Sequence, residues 1–184
     1  RDALAAGIGA VHQERNLIPR FTVGENILLE HLPTKNGLVD YDEVHKRARK
    51  VLDLLDRSID TRAEVASLSV AQMQLVEIAK ALSLDARILL LDEPTASITD
   101  HEAAALFAVV RSLRDRGVVI VFVSHKFEEV LVFCDRVIVL CDGRIAAANQ
   151  PSAEISRERL VSLMIGRDER VSDIGVRTPE MAST

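Results

Sequence analysis

A chain of 184 residues with 48% hydrophobic side chains can bury one ordinary core, and its formal charge of -5 argues against a dedicated nucleic-acid binder, which carries a basic patch. The longest strictly apolar runs, such as Val118–Val123, are far too short to cross a bilayer, and no secretory leader pattern opens the sequence, which is expected to have lost its natural beginning ahead of Arg1. Cys134 and Cys141 form no CxxC pair and have no His at metal-ligand spacing, so they read as buried free thiols of a reducing, cytosolic compartment.

In chain order, Gly7–His12 alternates apolar residues and predicts a short strand ending at Gln13. Thr22 to Leu32 reads as a short amphipathic helix, and Pro33 to Gly37 as a turn. Asp40 with Glu43 is an acidic capping box opening a helix whose apolar stripe is Val44, Ala48, Val51, Leu52 and Leu55. Ser69 with Gln72 repeats the device, and Thr99 with Glu102 does so again before a helix that Gly117 stops. From about 20 to 84 the pattern is helix after helix, with no convincing strand.

Strands then alternate with helices: Ile88–Asp92, a helix, Val118–Val123, a helix from about Phe127, then Arg136–Leu140. Asp142-Gly143 is a hairpin signal leading into Arg144–Ala148. A last helix, Arg157–Ile165, ends at Gly166, and the polar stretch to Thr184 reads as a linker or frayed end. Strand-helix-strand order with near-continuous Val, Ile and Leu runs predicts an α/β fold whose mostly parallel sheet is covered on both faces.

The chemistry concentrates where apolar strands end in polar groups. ILLLDEPTAS, Ile88 to Ser97, runs four aliphatic residues into Asp92 and Glu93, which places one carboxylate near a Mg²⁺ ion and the next near an attacking water. A buried strand followed by a surface Asp-Glu turn would give the same letters. His125, at the end of the next strand, strengthens the chemical reading, because ligand sites of open α/β sheets form at the carboxyl ends of strands. Ser69 at a helix N-terminus offers an anion a hydroxyl, free N–H groups and the positive end of the dipole, while Ser-x-x-Gln is equally a plain cap. The basic run His45–Lys50 lies on a helix with an apolar stripe and reads as a solvated face. Glu128-Glu129 read as first-turn acids.

Gln13, LSVAQ (68–72), ILLLDEPTAS (88–97) and VSH (123–125) occur in an order that resembles the ATP-binding subunit of ABC transporters: its Q-loop, signature motif, Walker B, D-loop and switch His. SVAQMQLVEIAKAL (69–82), DEPTASITD (92–100), CDRVIVLCDGRI (134–145) and RERLVSLMIGR (157–167) resemble more narrowly the first, N-terminal ATPase cassette of bacterial ribose/xylose/galactose-type sugar importers. The resemblance implies a P-loop NTPase-like core with an α-helical subdomain and a truncated N-terminal part. Residues 1–19 would be core strand and Q-loop, 20–84 the helical subdomain with the signature, 85–150 the α/β core, and 151–184 the closing helix and tail.

By the same resemblance Gln13 would sense Mg²⁺ and the γ-phosphate of ATP, Asp92 would hold Mg²⁺ through water, Glu93 would polarise the attacking water, and His125 would contact the γ-phosphate. Ser69, Val70, Ala71 and Gln72, with Thr99 and Asp100 of the D-loop, would face ATP bound to a second cassette. The helical subdomain would receive the membrane permease, and a periplasmic sugar-binding protein would act indirectly, with the protein peripheral at the cytoplasmic face of the membrane.

Three departures stand out. No GxxxxGK[ST] occurs, since none of the eight glycines is followed by Lys, and the adenine-stacking aromatic is also missing. The chain is therefore expected to be a fragment that binds ATP poorly alone. The signature has Val70-Ala71 where Gly-Gly is usual, and the D-loop has Thr99 where many relatives have Asp, with Asp100 one place later. An importer for another solute, a soluble ABC protein of translation or repair, and a non-catalytic interaction module remain as alternatives.

Overall fold

The computed structural model describes residue 3 and residues 6–12 and 16–166. Gln13 and the tail beyond residue 166 lie outside the described residues. The chain divides into two compact units, Arg1–His125 and Lys126–Thr184.

In the first unit, strand β1 (Ile8–Val11) is followed by helix α1 (Val23–Ile27), a 3-10 turn (Leu29–His31), strands β2 (Thr34–Lys35) and β3 (Leu38–Val39), helix α2 (Tyr41–Leu52), helix α3 (Val70–Ser83), strand β4 (Ile88–Asp92), helix α4 (Asp100–Asp115) and strand β5 (Val119–Val123). The helices start where side chains can satisfy their first free N–H groups. Thr22–Glu25, Ser69–Gln72 and Thr99–Glu102 each close a reciprocal capping box, and Asp40 accepts the Glu43 N–H at 3.1 Å. Val23, Ile27, Val44, Ala48, Leu52, Ile59, Val76 and Ala79 form one buried cluster between α1, α2 and α3. Each fully buried Val, Leu or Ile contributes about 1.5–3 kcal/mol against leaving it exposed.

The strands β1, β4 and β5 form a parallel sheet in the order β1-β4-β5, with Ile8 beside Ile88, Leu91 beside Phe122 and Asp92 beside Val123. Gly9 allows β1 to lie close to α3, because a Cβ there would sit 2.8 Å from the Ala81 Cβ. One sheet face carries buried Val11, Leu89 and Leu91, and the Phe122 ring meets Phe107 of α4 edge-on at 5.7 Å.

The other face corrects the expected double cover: Val119, Val121 and Val123 are 56%, 45% and 45% exposed. Aliphatic residues on both faces of a strand make a continuous run whether or not an element of the same chain covers each face, so the run cannot report which face stays open.

The expectation of no strand between 20 and 84 is also corrected. β2 and β3 pair antiparallel around Asn36-Gly37, whose φ values of 53° and 80° are both positive. Asn-Gly is the usual centre of such a tight hairpin, because both residues tolerate the left-handed region. Of the basic run, Lys46 and Arg47 are exposed and pair with Glu43, while His45 turns inward. Arg47 and then Lys46 hold the Glu43 carboxyl below its ordinary range by hydrogen bonding.

In the second unit, helix α5 (Phe127–Phe133) precedes strands β6 (Arg136–Cys141) and β7 (Arg144–Pro151) and helix α6 (Arg157–Ile165). β6 and β7 form the hairpin that Asp142-Gly143 signals, pairing antiparallel in a two-stranded sheet, so β6 does not continue the strand-helix-strand run. Val137, Val139, Ala147, Leu160 and Leu163 form its core, and α6 ends at Gly166 with φ 71°. The acids expected in the first turn of α5 are paired, Glu128 with Arg157 and Glu129 with Lys126. Both cysteines are free and half-buried rather than buried, and burial, helped by the Asp135 charge, pushes the Cys134 thiol up. Among the described residues no helix is long and apolar enough to cross a membrane.

Candidate functional site

Strand β4 delivers Asp92 to the end of the sheet, directly beside Val123 of β5. The chain then turns sharply. Glu93 adopts φ 46°, a left-handed conformation that costs a non-glycine residue about 1–2 kcal/mol. Two main-chain bonds fix it there: the Glu93 N–H donates to the Val123 carbonyl at 2.9 Å, and the Ala96 N–H donates to the Glu93 carbonyl at 3.1 Å. Pro94 and Thr95 are buried behind the corner.

His125 follows Val123 by two residues, and its Nδ1 lies 3.0 Å from Glu93 Oε1. An ionised carboxylate only accepts, so Nδ1 carries the proton in this pair and Nε2 is left for another group. The His125 side chain is 64% exposed and the Glu93 side chain 29%, so the imidazole is accessible while the carboxylate is partly withdrawn. The corner therefore joins a positioned carboxylate, able to accept a proton or orient a water, to an imidazole whose Nε2 accepts in the neutral ring and donates to an anion only when the ring is protonated on both nitrogens.

Among the described residues no group of three or more His, Cys, Asp or Glu could hold a metal ion without further ligands. Asp92 and Glu93 instead offer hard oxygen donors, which suits Mg²⁺, an ion usually held by one or two carboxylates together with substrate phosphates. The donor set fits a Mg-nucleotide better than a metal site formed by protein alone.

The residues at the helix starts close on themselves. Ser69 Oγ accepts the Gln72 N–H at 3.2 Å, and Gln72 Oε1 accepts the Ser69 N–H at 3.1 Å, so the cap is realised in full. Val70 and Ala71 form the first two helical positions of α3 and are half-exposed. Thr99 donates its N–H and its hydroxyl to Glu102, both at 2.9 Å, and these bonds hold the Glu102 carboxyl below its ordinary range. Asp100 is exposed at the first turn of α4. Thus Asp92, Glu93 and His125 come together, while the hydrogen bonds of Ser69 and Thr99 stay within their own caps.

Two buried polar residues escaped the sequence reading. Asn26 is fully buried; its Oδ1 accepts the Ile18 N–H at 2.7 Å, and its Nδ2 donates to the Ile18, Phe21 and Thr22 carbonyls. Glu77 accepts the Asn16 N–H at 2.8 Å. Both fasten the segment that follows Gln13. A polar residue breaking an apolar helix face was the available signal, but the partner of neither could be named from spacing. The Thr22–Glu25 cap carries the same Thr-x-x-Glu signature as Thr99–Glu102.

A family model described as "ABC transporter" matches residues 1–96. The galactose/methyl galactoside import ATP-binding protein MglA of Escherichia coli (strain K12) is 44% identical over 167 residues, covering 91% of this chain and 33% of that protein. The protein of the same name from Shigella boydii serotype 4 (strain Sb227) gives the same figures, so the chain spans about a third of the length of the curated relatives it matches. Among solved structures, an ATP-binding cassette of an ABC transporter is 27% identical with a TM-score of 0.75, covering 90% of this chain and 71% of that one. The ADP conformation of an ATP-binding cassette of an ABC transporter is 25% identical with a TM-score of 0.71, over 90% and 70% of the two chains.

Proposed function

Because the chain belongs to the ABC transporter family, we propose that it forms part of the ATP-hydrolysing subunit of an importer, with a sugar as cargo. The observation that carries the catalytic part of this reading is the Glu93–His125 contact at 3.0 Å, at the corner where β4 ends beside β5. In it, Glu93 accepts a proton from, or orients, the water that attacks the γ-phosphate, and His125, protonated on both ring nitrogens, donates from Nε2 to the γ-phosphate oxygens. Asp92 would hold Mg²⁺, and the ion would supply charge neutralisation at the phosphates. Gln13 reports on the same phosphate. Ser69, Val70, Ala71 and Gln72, with Thr99 and Asp100, face nucleotide on a second cassette.

ATP binding draws two cassettes together, and hydrolysis releases them. The segment after Gln13 and helices α1–α3 receive a membrane permease, which keeps the protein peripheral at the cytoplasmic face. The cargo is read from the galactose/methyl galactoside importer relatives alone, since no residue described here is assigned to solute. The sequence has no phosphate-cradling GxxxxGK[ST], so in this reading the triphosphate is held by a segment outside these 184 residues, and the chain alone binds ATP weakly.

The test is steady-state ATP hydrolysis by the full-length protein. Glu93→Gln keeps the size of the side chain and removes its basicity, and is expected to lower kcat by roughly 10²–10⁴-fold while leaving ATP binding intact. Unchanged turnover would remove Glu93 from the reaction.

A further inference from the structure

Three side chains of α3 reach main-chain atoms of residues 16–27. Glu77 Oε1 accepts the Asn16 N–H at 2.8 Å, Lys80 Nζ donates to the Asn16 carbonyl at 3.5 Å, and Ser83 Oγ donates to the Ile27 carbonyl at 2.9 Å. Their spacing of three residues sets them along one ridge of the helix. Asn16 is thus gripped at both its N–H and its carbonyl by side chains one turn apart.

Glu77 is 8% exposed and lies among buried Val76, Ile78 and Ala79. A carboxylate in such a position is costly unless it is hydrogen-bonded, and an apolar residue would pack there without that penalty. The acceptor is therefore what the position supplies. In the same segment, Asn26 binds both polar main-chain groups of Ile18. Residues 16–22 are consequently fastened to α3 by Glu77 and to α1 by Asn26, and none of these bonds depends on which side chains the segment carries.

We propose that Glu77 is a positioning residue that couples the segment following Gln13 to helix α3, so that displacement of that segment carries the Ser69 end of α3 with it. Asn16 stands three residues beyond Gln13, and Glu77 two helical turns beyond Ser69, so the bond links the neighbourhoods of two elements of the proposed site. The inference rests on the importer reading and names how the partner-binding segment and the Ser69 helix move together.

The experiment uses the full-length protein with its membrane partner in vesicles, and measures the KM for ATP, partner-stimulated kcat, and solute moved per ATP. Glu77→Met removes the acceptor at similar volume and is expected to cut partner-stimulated turnover and solute per ATP roughly fivefold, with the KM for ATP unchanged. Glu77→Gln keeps a carbonyl oxygen for the Asn16 N–H and is expected to stay within about twofold of the parent. Where Glu77→Met fails to fold, Glu77→Asp, which keeps the charge and withdraws the oxygens by one methylene, carries the same expectation. Full coupling in Glu77→Met, or an equal loss in Glu77→Gln, overturns the inference alone. A parent protein with no partner-stimulated hydrolysis overturns the importer reading and the coupling with it.

Discussion

The corner at Glu93 and the start of helix α3 at Ser69 both present polar groups where a phosphate site is expected, yet they relate to their surroundings in opposite ways. At Ser69 every local rule agrees: an extended N-cap residue, a hydroxyl on the Gln72 N–H, and an amide returning the bond. The cap accounts for itself, and any role toward an anion would be additional to it. At Glu93 a local rule is broken, since a long side chain is held at φ 46° by two main-chain bonds and its carboxylate is engaged by an exposed imidazole. Strain maintained by the surroundings is better evidence of chemistry than a satisfied cap, because nothing in the stability of the turn calls for a carboxylate there.

That contrast can be broken by experiment. A large effect is expected at His125: in the full-length protein, His125→Ala should lower steady-state ATP hydrolysis by roughly 10²-fold or more, and a parent-like rate would leave the Glu93 strain without a chemical purpose. Glu93→Gly should relieve the left-handed strain, partly offset by the entropy of glycine in the unfolded chain. Chemical denaturation is expected to show about 0.5–1 kcal/mol of added stability in a protein that has lost turnover. A destabilised Glu93→Gly would mean the side chain supports the fold. Ser69→Ala should cost about 1 kcal/mol in the same measurement, as for any lost N-cap. A Ser69→Ala protein that keeps its stability but loses ATP-driven dimerisation would reverse the comparison and make the anion role the principal one.

Much of the architecture was legible because it is written locally. The starts of α2, α3 and α4 follow from Asp40, Ser69 and Thr99, and the end of α6 from Gly166, each a residue whose own chemistry satisfies or releases the backbone. The carboxylates and the imidazole were readable as strand-terminal polar groups, and the parallel pairing of β4 with β5 supplied their meeting. The φ of Glu93 was not readable, because Asp-Glu-Pro names no left-handed residue. The pair Glu77–Asn16 was hidden for a different reason: its partners are 61 positions apart, and only the packed helices bring them within bonding distance. The two-residue strands β2 and β3 were too short to show a period. The open face at Val119, Val121 and Val123 was masked by letters that suit either cover or exposure.

The sheet also constrains the order in which the molecule can assemble. Ile8 pairs with Ile88, so β1 joins β4 only after the intervening chain has returned to its starting point. Closing so long a loop from a disordered chain costs on the order of 4 kcal/mol of configurational entropy. Between those strands lie α1, α2 and α3, whose cluster of Val23, Ile27, Val44, Leu52 and Val76 is built from contacts within that stretch. Collapse of this helical stretch first shortens the effective loop and carries the two strands toward each other. Helices that condense early would then serve as the template on which the β1–β4 ladder closes, so β1 takes its place beside β4 after them.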